Sequence, residues 1–205
     1  MPRENRRAER PALLIVDVQR DFCPGGALAA PAGDRIVPAL NRHVAEAHGR
    51  GLPIYASRDW HPDVTNHFKA YGGPWPVHCV QGSPGAEFHP DLDLPSRAIV
   101  VSKGQTPDHP GYSAFEGVTP HGTSLLDDLR RRRVDRLYVG GIATEYCVKQ
   151  SVLDALHAGF RVTVLRDAVA GIDARPGDAD RALAEMAGAG ADIATGAIAV
   201  PARDR

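Results

Sequence analysis

The chain has 205 residues, 43% of them hydrophobic and 24% charged, which is ample for a buried core and excludes a disordered polymer or a mini-protein that needs staples. Twenty-four Lys and Arg against 25 Asp and Glu leave a formal net charge of −1, and nothing in that balance calls for a nucleic-acid or membrane partner. The three cysteines, Cys23, Cys79 and Cys147, are odd in number and irregular in spacing, no apolar run approaches the ~20 residues of a membrane span, and the Arg-rich start has no signal-peptide character, so a reducing cytoplasm is the expected compartment.

Residues 1–10 and 201–205 read as flexible tails, with a single domain over 11–200. Strand-like runs are predicted at Ala12–Asp17, Pro53–Ser57, Ala98–Ser102, Arg136–Gly140 and Arg161–Leu165, with a weaker one at Asp192–Ala194. Runs such as LLIV at 13–16 and IVV at 99–101 are unbroken, as in strands covered on both faces. Helices are predicted between them. Asp34–Gly49 carries Ile36, Val37, Leu40, Val44 and Ala47 on one face. Ser124–Arg133 ends in four arginines that complement the helix dipole and read as a solvated helix end. Thr144–Ala158 stops before Gly159, and Asp178–Ala187 follows Pro176. This alternation predicts an α/β fold with a mainly parallel sheet. The exception is Trp60–Leu94, long and aperiodic, with both tryptophans and four of the nine histidines; a loop of that length inside a domain reads as an ordered site loop.

In parallel sheets ligands bind beyond the carboxyl ends of the strands. There the first strand presents Asp17, then Gln19, Asp21 and Phe22; the second Asp59 and His61; the third Lys103, one of only three lysines; and the fourth leads through Ile142 and Ala143 to Cys147. Cys147 falls in the first turn of a predicted helix, where free N–H groups and the dipole lower a thiol's pKa from ~8.5. Asp17 suits a base, the N–H groups of Ala143 and Cys147 an oxyanion site, and Lys103 a fixed charge near both. Asp59-x-His61, with His67 and His78 further on, suits zinc, iron or manganese, and Asp59 and His61 share one side of an extended chain. Each residue has a plainer alternative: Cys147 a small buried hydrophobe, Asp17 a loop cap, Lys103 a surface lysine, the histidines solvated. Cys79 reads as packing, His89 and His109 as structural or solvated.

Four blocks then carry a resemblance: VDVQRDFCPGGAL at 16–28, SRDWHP at 57–62, GGPWPVHCVQGSPGAEFHPDL at 72–92 and GGIATEYCV at 140–148, supported by SKG at 102–104 and GYSAFEG at 111–117. The chain resembles nicotinamidases (pyrazinamidases) of the isochorismatase-like cysteine hydrolase superfamily over roughly residues 11–200. The resemblance implies a Rossmann-like three-layer α/β/α fold with about six parallel strands. It implies an Asp17–Lys103–Cys147 triad and one divalent transition-metal ion on Asp59, His61 and His78, with His67 as a further ligand; zinc comes first, iron and manganese are alternatives. It implies a cis peptide between Ile142 and Ala143 that turns the Ala143 N–H towards the substrate oxygen, a ring site between Phe22 and Trp75, and Tyr112 and Ile142 at the pocket. The activity implied is hydrolysis of nicotinamide, and of pyrazinamide, to the acid and ammonia through a thioester, a step of NAD salvage. Two rivals stand beside it: another enzyme of the superfamily acting on a different small amide or ureido substrate, and a non-catalytic docking protein on the same fold. Whether the chain forms a homo-oligomer stays open.

Overall fold

Six apolar-rich runs form six strands in the computed structural model, which describes residues 9–196 and 198. They are β1 (Pro11–Val16), β2 (Ile54–Asp59), β3 (Ile99–Lys103), β4 (Arg136–Ile142), β5 (Arg161–Ala170) and β6 (Asp192–Ala194). All pair in parallel, in the order β3-β2-β1-β4-β5-β6. Four α-helices lie between them: α1 (Val37–Gly49), α2 (Leu125–Arg131), α3 (Lys149–His157) and α4 (Asp178–Gly188).

All six residues of β1 are buried, and strand alternation sends them to two different cores. Leu13 and Ile15 pack with Leu40 and Val44 of α1. Ala12, Leu14 and Val16 pack with Leu125 and Leu129 of α2, Val152 of α3 and Met186 of α4. The result is the expected α/β/α sandwich, with one α-helix on one face and three on the other.

The chain builds outward from β1 to β3 and then returns to place β4 on the other side of β1. That reversal opens a crevice beyond the carboxyl ends of β1 and β4, where doubly wound sheets hold their ligands. Gly141 sits at the reversal with φ 131°, and a Cβ there would run into the main chain of Val16, so the close approach of the two strands requires glycine.

Several boundaries differ from the sequence reading for identifiable reasons. β2 and β3 run on to Asp59 and Lys103, because these polar ends still face each other in register. β4 reaches Ile142 and β5 reaches Ala170, pairing beyond a bulge between Val139 and Gly141. α1 begins at Val37 rather than Asp34, which leaves Pro38 in the first turn, where its missing N–H goes unneeded. The single helix expected over 144–158 is two pieces: a π-helical turn at Thr144–Val148, with the Val148 N–H donating to Ala143 O (3.1 Å), and then α3. Such turns frequently mark functional sites.

The described part of the expected N-terminal tail is held down. Glu9 pairs with Arg136 and Arg161, and the Arg10 N–H donates to Asp135 Oδ1 (3.0 Å). The rest of that tail, and 201–205, lie outside the described residues. The segment between β2 and β3 is ordered by isolated bridges, His61 with Val80 and Phe68 with Trp75, and Phe68 and Cys79 are fully buried within it.

Candidate active site

β1, β3 and the turn after β4 bring Asp17, Lys103 and Cys147 together. The Lys103 ammonium, fully buried, lies 2.8 Å from Asp17 Oδ2 and 2.5 Å from Asp59 Oδ1, donates to Gly111 O (2.7 Å), and reaches Cys147 Sγ at 3.5 Å. Asp17, Asp59 and Cys147 point acceptor atoms at one another within 4.8 Å, and the ammonium is the cation that this cluster encloses. Burial works against the charge on Lys103, yet Asp17 and Asp59 outweigh it and hold its pKa well above the usual lysine value. Burial, reinforced by Asp59, raises the carboxyl of Asp17 although Lys103 pulls it down.

Cys147 corrects the sequence expectation. Burial pushes its thiol well above the usual cysteine value, and Asp17 and Asp59 add to that against Lys103. A helix end lowers a thiol's pKa, but desolvation dominates for a thiol buried as this one is. The thiol therefore rests as S–H, and a nucleophilic role would require a base.

Beside the triad, Asp59, His61, His67 and His78 converge. The three imidazoles offer nitrogens within 4.8 Å of one another, and Asp59 Oδ2 lies 3.5 Å from His61 Nε2 and 3.8 Å from His78 Nε2. His61 Nδ1 faces Gly104 O (3.1 Å) and His78 Nδ1 faces Pro76 O (2.7 Å). A carbonyl only accepts, so each Nδ1 carries a proton, which makes Nε2 the nitrogen each ring can offer a metal. His61 Nε2 is buried without a hydrogen-bond partner. Burial, with His61 and His78, lowers His67 to about 4, and burial also lowers His78; both are neutral near pH 7, the ligating form. Three such imidazoles and a carboxylate fit a divalent transition metal, and carbonyl-held imidazoles are the usual surroundings of metal-binding histidines.

One cavity joins the two clusters and is lined by Asp59, His67 and His78 together with Ala143 and Cys147. Its walls are Phe22, Trp75 and Tyr112, as expected, together with Leu28, Tyr146 and Ile172. The Trp75 indole N–H donates to the Tyr112 hydroxyl (2.8 Å), and Trp75 stands edge-on to Tyr146 with ring centroids 5.0 Å apart. Ile142 is fully buried in the core with its side chain off the cavity wall; β4 alternation turns it away. The Ile142–Ala143 peptide is cis.

Several supporting residues escaped the sequence reading. Ser57 donates to Asp17 Oδ1 (2.8 Å). Ser151 donates to Cys147 O (2.7 Å) and accepts from the Ala114 N–H (2.9 Å), tying the turn that carries Cys147 to the neighbouring segment. Glu145 accepts from the Asp173 N–H (2.6 Å) and so seats the loop that carries Ile172. For Ser57 the available signal was a polar residue one strand period before Asp59.

Over residues 11–198 the sequence matches the isochorismatase domain. The chain belongs to the isochorismatase family. Among its family relatives, the nicotinamidase of Escherichia coli (strain K12) is 43% identical over 200 residues, covering 90% of this chain and 94% of the relative. A pyrazinamidase of Pyrococcus horikoshii, solved in complex with zinc, superposes with a TM-score of 0.85 at 49% identity, covering 91% of this chain and 99% of its own. A protein of L. infantum solved in complex with nicotinate gives a TM-score of 0.81 at 34% identity, covering 94% and 98%. Within the isochorismatase family, then, this chain has the α/β/α frame, the buried cysteine beyond β4 and a cage of donors beside it.

Proposed function

We propose that this chain, acting as one hydrolase domain over residues 11–200, is a metal-dependent cysteine amidohydrolase that converts nicotinamide to nicotinate and ammonia, and accepts pyrazinamide. The observation that carries the reading is one aromatic-walled cavity lined by both the Cys147 thiol and residues of a buried histidine–carboxylate cage. The names of the relatives support it: a nicotinamidase, a pyrazinamidase solved with zinc and a protein solved with nicotinate. We assign Asp17, Lys103 and Cys147 as catalytic residues, Ala143 and Cys147 as the oxyanion site, Phe22, Trp75 and Tyr112 as the ring site, and Asp59, His61, His67 and His78 as metal ligands. We place the enzyme in the cytoplasm, within NAD salvage. Among the described residues no helix is long and apolar enough to cross a membrane.

The steps follow from the resting protonation states. Asp17, held by Ser57 and Lys103, takes the Cys147 proton as the sulfur adds to the carboxamide carbon and the carbonyl pair moves to oxygen. The Ala143 and Cys147 N–H groups hold that oxyanion. Asp17 returns the proton to nitrogen, the C–N bond breaks and ammonia leaves a thioester. Water then adds with its proton passing to Asp17, the C–S bond breaks, and the thiol is re-formed as the acid departs. Lys103 keeps its charge throughout, offsetting the carboxylates around it. Asp59, His61, His67 and His78 would hold a divalent ion, zinc first, which would supply a Lewis-acidic point that orients the ring through its nitrogen.

Ammonia release across nicotinamide, pyrazinamide and a ureido acid, measured with metal content, tests this. The expected result is turnover of the two ring amides, about one metal per chain, and loss of activity on chelation that zinc restores. A metal-free protein active only on the ureido acid would transfer the assignment to another activity of the family.

A further inference from the structure

We propose that Gln19 and Asp21, on the turn just after Asp17, are positioning residues that hold the metal cage in its binding geometry; this rests on the metal reading above. The need for them arises at the end of β1. Asp17 adopts φ 50°, and this turn swings its carboxylate towards Lys103. Its N–H makes the last main-chain rung to β2, donating to Ser57 O (3.1 Å). In a parallel pair alternate residues face the same neighbour. After Ser57, Asp59 is thus the next residue of β2 whose N–H and C=O face β1, but the main chain of β1 has already turned away. Gln19 replaces it. Its Oε1 accepts from the Asp59 N–H (2.7 Å), and its Nε2 donates to Asp59 O (2.8 Å) and to Ala86 O (2.9 Å). The fully buried side-chain amide thus supplies the missing rung and fixes the backbone of a ligand.

Asp21 does the equivalent for two histidines. Its Oδ2 accepts from the N–H of Cys79 (2.7 Å), the residue that follows His78. The carbonyl of the same Cys79 accepts from the His61 N–H (3.0 Å). A Cβ on Gly85 would collide with the Asp21 carboxylate, so the absence of a side chain there admits it. Three of the four proposed ligands, Asp59, His61 and His78, are therefore held by two side chains within five residues of the catalytic base. Neither side chain is among those that point donor atoms into the cage, so their effect is on preorganisation.

Zinc retention by the purified holoenzyme against a chromophoric chelator tests this apart from turnover. Outer partners of metal ligands typically change affinity by roughly 10- to 100-fold, and that is the loss expected for Gln19→Met and Asp21→Ala, with the chelated variants still folded and melting cooperatively. Asp21→Asn, which keeps an oxygen for the Cys79 N–H, is expected to stay within a few-fold of wild type. If Gln19→Met fails to fold, Gln19→Glu serves instead, since it keeps the acceptor and loses both donors. Wild-type zinc affinity in the Gln19 and Asp21→Ala variants, alongside zinc loss in His78→Ala, would overturn the inference. A folded wild-type protein that holds no zinc would instead remove the metal reading and this inference with it.

Discussion

Replacing Cys147 by alanine is expected to lower kcat for ammonia release by at least ~10⁴-fold, the scale on which loss of a nucleophile acts, while zinc content and nicotinate affinity stay near wild type. The separation follows from position. Cys147 Sγ is 3.5 Å from Lys103 Nζ and close to the Asp17 and Asp59 carboxylates, while the imidazole nitrogens that converge belong to His61, His67 and His78. Removing the sulfur deletes the bond-forming atom and leaves the cage and ring walls in place. Steady-state ammonia release and calorimetric nicotinate binding on the same preparation check both halves. Near-normal ammonia release by the variant would show that water attacks the amide directly and that the buried thiol is packing.

Asp17→Asn is expected to lower kcat by roughly 10²–10⁴-fold, the usual contribution of a positioned proton carrier, with a smaller change in KM. The cause is the protonation state of the nucleophile. Because burial holds Cys147 as S–H, some group must take its proton during attack, and Asp17 is the carboxylate within reach that does not face the histidines. Asparagine keeps the shape and an oxygen for the Ser57 hydroxyl but cannot carry the proton. Because the two residues act on one step, the double variant with Cys147→Ala should be no slower than Cys147→Ala alone. A kcat for Asp17→Asn within a few-fold of wild type would remove Asp17 as the base.

The strand ends carried most of what could be read from sequence. Asp17, Asp59, Lys103 and Cys147 each follow an apolar run, and the alternation of runs and helices places such residues on one rim. His67 was the least determined of the proposed ligands because it lies mid-loop, where no period fixes direction; the fold brings it to His61 through the bridge between Phe68 and Trp75. What escaped was of two kinds. The roles of Gln19, Ser57, Ser151 and Glu145 run through hydrogen bonds to main chain or to one carboxylate, with partners from 4 to 67 residues away, and such bonds leave no spacing pattern. The Cys147 thiol escaped because a helix terminus is legible in sequence while burial is not. For the same reason the π-helical turn at Thr144–Val148 looked like α-helix, since both accept the same residues.

The most direct measurement is the intact mass of enzyme quenched with acid during turnover of nicotinamide, followed by mapping of the modified peptide. A covalent nicotinoyl thioester facing a metal cage predicts a mass increase of one nicotinoyl group, located on the peptide that carries Cys147 and lost on neutral incubation. Full ammonia release with no adduct under rapid quench, or an adduct on Cys23 or Cys79, would contradict it.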